Sequence, residues 1–335
     1  MAVSPTPGSA AGVLSVKATR RMKYELAGKV VLISGGSKGL GLDMAREFGA
    51  AGAQVVIAAR DAAELTRASD WLLTQGIRAE VRVCDFKQNE AVTALVADIE
   101  AKLGTIDVLV NNAGIIQVGP TDSMTLEDFE DTMQTMFWGV VYATTAVLDG
   151  MKRRGSGRIV NITSIGGKVS VPHLLPYSAA KFAAVGYSEG LRAGLSGTGI
   201  GVITVVPGLM RTGSFLNAQF KGEAAEEYAW FGLGASLPGI SIGAGAAARR
   251  ILRATVNNEP ELILSAPANF IARVHGIAPG LTMQMFSLVN RLLPKGASRK
   301  LRNGREVARE SDSRALRTAM QLGHKAARDL QHTGV

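Results

Sequence analysis

A glycine-rich turn near the start of the chain places the strongest constraint on its fold. Five residues of strand character, Val30–Ser34, lead into the run Gly-Gly-Ser-Lys-Gly-Leu-Gly, which ends at Gly41 and opens a helix-length segment. Glycines let the backbone turn tightly and approach a phosphate, and the N-terminus of the following helix attracts negative charge. The run therefore predicts a strand-turn-helix unit that binds a dinucleotide, although such a turn alone is weak evidence.

Apolar, β-rich runs then alternate with helix-length segments, which is typical of parallel βαβ units. The pattern predicts helices over 40–51, 126–151, 177–195 and 246–255. It predicts seven strands, near 30–34, 55–59, 79–84, 108–111, 158–162, 202–206 and 261–264. We therefore expect an α/β fold built on a parallel sheet of about seven strands.

Three side chains in the second half of this pattern indicate proton transfer. Tyr177 and Lys181 are four residues apart, so a helix places them on one face. A phenol titrates near ~10, and a neighbouring ammonium lowers that pKa because it favours the phenolate. Ser164 ends a predicted strand and can hydrogen-bond the oxygen whose charge changes. A Tyr-x-x-x-Lys pair is common by chance, but here it follows a phosphate-binding turn.

Taken together, these motifs resemble the short-chain dehydrogenase/reductase family over roughly residues 26–265. The turn matches TGxxxGxG with Ser34 in place of Thr, and the NNAG motif is intact at residues 111–114. The family's Ser-Tyr-Lys set matches Ser164, Tyr177 and Lys181, and its PGxxxT motif matches residues 207–212. The resemblance implies one doubly wound, Rossmann-like domain that binds NAD(P).

The resemblance also implies roles for the matching residues. Tyr177 would give a proton to the substrate oxygen or take one from it, Ser164 would polarise that oxygen, and Lys181 would hold the nicotinamide ribose. Together with Tyr177 and Lys181, the implied cofactor residues are Gly35, Ser37, Lys38, Gly39, Leu40, Gly41, Arg60, Asp85, Asn112, Ala113, Gly114, Pro207, Gly208 and Thr212. The implied activity is an oxidoreductase that interconverts a carbonyl and an alcohol.

The end of the second predicted strand indicates which cofactor is used. NAD sites usually place an acid there, which accepts from the ribose hydroxyls. This chain has Ala59 followed by Arg60, and Arg60 with Lys38 can meet the 2′-phosphate of NADP(H). The alternative is that both cations are solvated surface residues. Asp61 is interpreted as the cap of the next helix.

Met136 departs from the family pattern. Family members usually carry an Asn at this position, which supports a water between the lysine and solvent, whereas a thioether is only a weak acceptor. A catalytically weak, NADP-binding regulatory protein is therefore the alternative function. His173 precedes Tyr177 by four residues and can contact substrate, but loop histidines usually have no catalytic role. The spacing of the four histidines predicts no metal site.

The regular alternation stops after Thr212. Residues 213–240 contain five aromatic side chains, and the family places its substrate loop here. We predict an apolar lid that selects a small hydrophobic carbonyl or alcohol, with a satellite core cluster as the alternative. The aromatic residues are Phe215, Phe220, Tyr228, Trp230 and Phe231.

The net charge of +9 lies mainly at the two ends of the chain. Residues 1–29 carry five basic and one acidic residue, and residues 295–335 carry ten basic and four acidic residues. A basic catalytic domain is therefore not predicted, and neither is a nucleic-acid partner. We expect a flexible tail over 1–25, the catalytic domain over 26–265, and a helical, basic extension over 266–335. With no secretory signal and one cysteine, a cytoplasmic location is expected.

Two segments are predicted to contact other surfaces. Residues 268–293 form an apolar helical stretch interrupted near Pro279, and basic residues flank and follow it to about residue 305. This stretch can meet a membrane surface peripherally, cover the substrate cleft or contact a subunit, and all three remain open. The predicted helix 126–151 is unusually apolar, and family members pair such helices across a two-fold axis. A homodimer or homotetramer is therefore expected.

Overall fold

The computed structural model describes residues 24–310 and 314–331, so the predicted tail lies almost entirely outside the described residues. Its centre is a seven-stranded parallel sheet with the strand order β7-β6-β5-β4-β1-β2-β3. The doubly wound sheet expected from the sequence is confirmed. The strands are β1 Val30–Ser34, β2 Gln54–Ala59, β3 Ala79–Val83, β4 Ile106–Asn111, β5 Gly157–Ile162, β6 Ile200–Val206 and β7 Glu261–Ile263.

Helices connect these strands and cover both faces of the sheet. A π-helical turn, Gln134–Trp138, joins two of them without a break, so the predicted helix 126–151 forms one continuous rod. Such turns are rare and frequently mark functional sites. The helices are α1 Gly39–Ala50, α2 Ala62–Thr74, α3 Asn89–Leu103, α4 Leu126–Met133, α5 Gly139–Arg154, α6 Leu175–Gly194, α7 Ala224–Ser236, α8 Ala244–Asn257, α9 Ala266–Ile277, α10 Pro279–Asn290, α11 Gly304–Glu310, α12 Arg314–Ala319 and α13 Gln321–Asp329.

Alternate side chains of β1 enter two separate core layers. Val31 and Ile33 pack with α1 residues such as Phe48, whereas Val30 and Leu32 pack with residues of α3 and α5. Because both faces are covered, all five residues of β1 are buried, as expected for the central strand of a parallel sheet. The sheet therefore holds its carboxyl edge rigidly, and the predicted site residues lie at that edge.

The segment after Thr212 forms a third core cluster instead of an open lid. Four of its five aromatic residues, Phe215, Phe220, Tyr228 and Phe231, are buried. They pack with Val307, Met320 and Ala327 from the C-terminal extension. The satellite-core alternative therefore describes these four side chains, and only Trp230 is half-buried. The physical reason is that α11 to α13 return to α7 and cover it.

The C-terminal extension divides into two parts. The helices α9 and α10 contact each other on the outside of the molecule, whereas α11, α12 and α13 pack against α7. The predicted interruption at Pro279 is confirmed, since Pro279 begins α10. Among the described residues, no helix combines the length and apolarity needed to cross a bilayer.

Truncating Phe220 should destabilise the fold. Its side chain is fully buried, and its ring meets Tyr228 and Phe231 edge-on with centroids 5.7 and 6.2 Å away. Phe220→Ala is expected to lower the free energy of unfolding by about 3–5 kcal/mol, measured by urea denaturation. The matched control Leu73→Ala, at an exposed position on α2, should change it by less than about 0.5 kcal/mol. Unchanged stability with an altered KM would restore the lid interpretation.

Candidate active site

The glycine-rich turn joins β1 to α1 at the carboxyl edge of the sheet. Gly35 and Gly39 have φ angles of +65° and +59°, a region that favours glycine. A Cβ on Gly41 would lie 2.2 Å from the carbonyl oxygen of Gly35. Only glycine permits so close an approach of the two backbone segments. The geometry therefore explains the spacing seen in the sequence.

The NNAG motif fastens this turn to the end of β4. The Asn112 side chain donates to the carbonyl oxygens of Ser34 and Gly35 at 3.0 and 3.1 Å. In return, Ser34 Oγ accepts from the N–H groups of Asn112 and Ala113 at 2.9 and 3.0 Å. The strands β1 and β4 are adjacent in the sheet but distant in the chain. These bonds therefore join the two sides of the crevice in which open α/β sheets bind ligands.

The end of the extension also reaches this turn. The N–H group of Gly39 donates to the carbonyl oxygen of Leu330 at 3.0 Å. Nearby, a Cβ on Gly213 would lie 2.3 Å from Cβ of Ala327, so α13 packs closely beside Thr212. Sequence reasoning missed this contact, since it joins opposite ends of the chain and leaves no local pattern.

The two cations assigned to the cofactor phosphate have different surroundings. Lys38 Nζ pairs with Glu64 Oε1 at 2.7 Å, and Ser37 Oγ donates to Glu64 Oε2 at 3.2 Å. Arg60 is exposed and has no polar partner within the described part of the chain. The charge of Lys38 is therefore already balanced, and Arg60 is the uncommitted cation. Sequence reasoning did not anticipate Glu64.

Two polar residues at strand ends stabilise the backbone. The predicted cap is confirmed, because Asp61 Oδ1 accepts from the Glu64 N–H at 2.9 Å at the start of α2. Asp85 accepts from the Lys87 N–H at 3.1 Å in the turn after β3. Both residues therefore shape the carboxyl edge of the sheet.

The structure brings Ser164, Tyr177 and Lys181 together. Ser164 lies just beyond β5, where its hydroxyl is near enough to Tyr177 to affect the pKa of that phenol, while α6 presents both Tyr177 and Lys181. Lys181 is buried, and its Nζ donates to the Ile162 carbonyl oxygen at 2.9 Å. The same Nζ lies 5.8 Å from the centroid of the Tyr177 ring. A phenol, an ammonium and a hydroxyl thus share one site.

Burial dominates the protonation of this group. It raises the pKa of Tyr177 above its ordinary value, and the hydrogen bond with Ser164 opposes that rise. Burial also lowers the pKa of Lys181 to about 8. The lowered pKa that the sequence predicted for Tyr177 is therefore not found, because desolvation outweighs the favourable partners.

The residues of the PGxxxT motif lie after β6, at the same edge. Pro207 accepts at its carbonyl oxygen from the Ile165 N–H at 2.7 Å, which holds the Ser164 loop against the β6 end. A Cβ on Gly208 would lie 2.5 Å from Ser265 Oγ. Thr212 is buried, and its Oγ1 accepts from the Ser214 N–H at 3.2 Å. The motif therefore packs tightly between the Ser164 loop and the start of α9.

Met136 occupies the π-helical turn and is buried. Its sulfur lies 3.3 Å from the position of a Cβ on Gly114, so the thioether fills space beside the NNAG motif. The polar neighbours do not take the place of the Asn that the family carries at position 136. Gln134 donates to the Lys87 carbonyl oxygen, and Thr135 donates to the Asp131 carbonyl oxygen. The thioether of Met136 therefore offers only a weak hydrogen-bond acceptor beside the NNAG motif.

A buried pair just before Tyr177 was not predicted. His173 has a φ of +62°, and its Nδ1 lies 2.7 Å from Glu227 Oε1. Glu227 is fully buried and also accepts from Trp230 Nε1 at 2.6 Å. These bonds fasten the loop before Tyr177 to α7. No local pattern signals this pair, because Glu227 resembles an ordinary acidic residue in the first turn of a helix.

Comparison with known proteins gives consistent matches. A sequence profile described as short chain dehydrogenase matches residues 29–221. A putative ketoacyl reductase of Streptomyces coelicolor is 41% identical over 186 residues, which cover 55% of this chain and 71% of the relative. A solved short-chain dehydrogenase from Streptomyces avermitilis has a TM-score of 0.66 and 32% identity, covering 78% of this chain and 98% of its own. An actinorhodin polyketide ketoreductase solved with NADPH has a TM-score of 0.63 and 30% identity, covering 74% and 99%.

The lowered pKa of Lys181 predicts a pH-dependent stability. Between about 8 and its ordinary 10.5, the unfolded chain binds a proton that the folded chain does not, so stability should rise with pH in this window. The stability of the wild type relative to Lys181→Met should increase by roughly 2–3 kcal/mol from pH 8 to pH 10. Chemical denaturation measures this, with Lys152→Met, an exposed lysine, as the flat control. A pH-independent difference for Lys181→Met would contradict it.

Proposed function

The chain belongs to the short-chain dehydrogenase/reductase family of oxidoreductases, and we propose that it interconverts a carbonyl and an alcohol on an apolar substrate with NADP(H). The observation that carries this proposal is the convergence of Ser164, Tyr177 and Lys181 at the carboxyl edge of the sheet, the same edge at which the glycine-rich turn leaves β1. A proton-transferring group and a dinucleotide cradle at one sheet edge suit coupled proton and hydride transfer.

The residues at the edge fit NADP(H). The turn leaves no room for a Cβ at Gly41, which is the shape expected of a backbone cradle for pyrophosphate. Arg60 offers an exposed guanidinium for the 2′-phosphate, and the NADPH-bound ketoreductase supports the same cofactor. One donor of the cradle, the Gly39 N–H, already binds Leu330, so the remaining contacts fall to the rest of the turn and to the NNAG and PGxxxT residues. When bound, NADP(H) supplies or accepts a hydride.

Each side chain of the catalytic group has a distinct task. Ser164 holds the substrate oxygen, and Tyr177 transfers a proton to or from it. Lys181 replenishes that proton, since a group with a pKa of about 8 exchanges protons readily near neutral pH. The raised pKa of Tyr177 keeps its phenol protonated, so a proton is present on the side chain when a carbonyl substrate binds.

The surroundings of Tyr177 support an apolar substrate. The Tyr177 ring packs against the third core cluster, whose half-buried border includes Ile116, Val171, Trp230 and Leu233. These side chains, rather than the buried aromatics, would supply apolar surface to a ligand, at roughly 25 cal/mol per Å² buried. Small hydrophobic carbonyls or alcohols fit this border better than polyhydroxylated compounds do.

A regulatory role is the second candidate. The buried thioether of Met136 stands where the family carries an amide, so proton supply to Lys181 has one polar partner fewer. A chain that binds NADPH but turns over none of a panel of apolar ketones and aldehydes would match this alternative. NADPH oxidation with such a panel therefore separates the two candidates.

Replacing the phenol should abolish turnover and spare cofactor binding. Tyr177→Phe keeps the ring that packs against the cluster but removes the transferable proton. We expect kcat to fall by about 10²–10⁴-fold in the NADPH-oxidation assay, with an unchanged Kd for NADPH. Tyr24→Phe is the matched comparison, because it removes the same hydroxyl from a half-buried ring that donates to the Asp107 carbonyl oxygen at the start of β4. Turnover within a few-fold of wild type would show that Tyr177 is not the acid.

Arg60 should determine the preference for the phosphorylated cofactor. Losing a charge-assisted contact to the 2′-phosphate is expected to weaken NADPH binding by roughly tenfold to a hundredfold, while NADH binding stays the same. Titration of both reduced cofactors into Arg60→Ser measures this, with Arg78→Ser as the control at another exposed arginine. Equal or tighter NADH binding by the wild type would overturn the preference.

We propose a homodimer or homotetramer formed through the rod of α4 and α5 with α6. Its outer side exposes Leu126, Trp138 and Phe182, at 81%, 43% and 41%, which is more apolar surface than one flank of a monomer needs. Sedimentation velocity at micromolar concentration should show no monomer peak, and Trp138→Lys should restore one. A wild type that sediments as a monomer would contradict the proposal.

A further inference from the structure

The helical pair α9–α10 exposes an apolar surface that no other described part of the chain covers. In these two helices only Ala268 and Thr282 are buried. The exposed side chains on and just after the pair, called the α9–α10 surface below, include Phe270 (70% exposed), Ile277 (86%), Leu281 (63%), Met283 (63%), Leu288 (61%) and Leu292 (83%). Exposed apolar side chains at this density mark an interaction site rather than ordinary surface.

The pair is held in a fixed shape. Thr282 Oγ1 lies 2.5 Å from His275 Nδ1 and donates to the Pro279 carbonyl oxygen at 2.9 Å, so the corner between the helices is closed by hydrogen bonds. Ala268, at the start of α9, packs beside Gly208 of the catalytic edge. The surface is therefore a preformed feature of the folded chain.

Charge distinguishes this segment from the rest of the protein. From Leu262 to Arg305 the chain contains no Asp or Glu but seven Lys or Arg residues. Two of the seven, Arg302 and Arg305, belong to the returning part of the extension, and Arg302 pairs with Glu310 at 2.5 Å. The other five are exposed and have no ion pair within the described residues. They are Arg273, Arg291, Lys295, Arg299 and Lys300.

We propose that the α9–α10 surface docks on an anionic lipid membrane, with the two helices lying in the interface. Apolar side chains enter the acyl boundary while Lys and Arg meet the headgroup charge, which is the composition that interfacial helices need. A second copy of this chain fits the same surface poorly, because a two-fold contact would bring the five unpaired cations together. The proposal goes beyond the proposed oxidoreductase activity and does not depend on it.

The test uses the full chain and vesicles of phosphatidylcholine with and without phosphatidylserine. Co-sedimentation should show binding to the phosphatidylserine vesicles that weakens as salt is raised. Two variants separate the contributions. Ile277→Ser/Leu281→Ser/Leu292→Ser removes apolar contacts and leaves every cation, and Arg291→Glu/Lys295→Glu reverses charge and leaves every apolar residue. Each should reduce binding at least tenfold.

The control variant is Leu73→Ser/Val83→Ser, which removes exposed apolar side chains elsewhere on the molecule and should bind as the wild type does. Circular dichroism and turnover should be the same for all variants, since none lies in the catalytic group. Binding that is equal on neutral and anionic vesicles, or unchanged in both test variants, would overturn the proposal. So would the absence of vesicle binding with a change of sedimentation coefficient in the apolar variant, which would assign the surface to a second copy.

Discussion

The hydrogen bonds between Ser34 and Asn112 hold together the part of the molecule on which the rest of the site depends. They join two strands that are neighbours in the sheet but far apart in the chain, and they do so where the glycine-rich turn leaves β1. The turn can approach a ligand only because its glycines carry no Cβ, and it can stay in place only because Asn112 satisfies its carbonyl groups. The conformational freedom of the glycines is thus restricted by hydrogen bonds to Asn112 on the neighbouring strand end.

A second set of bonds anchors α6, the helix that carries Tyr177 and Lys181. Asn111 donates to Asn161 at 2.8 Å, Asn161 donates to Ser188 at 2.9 Å, and Ser188 lies 2.7 Å from Thr204. This buried network runs from β4 through β5 to Ser188 on α6 and ends at Thr204 on β6. In a low-dielectric interior a satisfied network of this kind rigidifies its surroundings. The position of Tyr177 therefore depends on polar contacts about three turns further along its own helix, as well as on the His173–Glu227 pair in front of it.

The sequence predicted the features that are local and missed those that join distant residues. Strand positions, the cap at Asp61 and the break at Pro279 follow from short patterns, so the sheet could be predicted almost residue by residue. The clustering of aromatics after Thr212 was visible, but their direction depends on helices nearly a hundred residues later. Glu64 beside Lys38 and Glu227 beside His173 are ordinary acids in sequence, and only folding gives each a partner. The pKa of Tyr177 was misjudged for the same reason, since burial is not a local property.

The hydrogen bond from Gly39 to Leu330 has a consequence for the order in which the protein is built. Synthesis proceeds from the N-terminus, and N-terminal parts generally fold first. The turn after β1 therefore emerges from the ribosome long before α13 has been synthesised. It lacks its contacts with the α13 region while the sheet folds. Only when Leu330 arrives does the Gly39 N–H receive its partner and does Ala327 close against Gly213. The glycine-rich turn is thus translated early but gains its contacts with Leu330 and Ala327 only after α13 has been made, so a nascent chain that stalls before α13 would carry the sheet without these contacts.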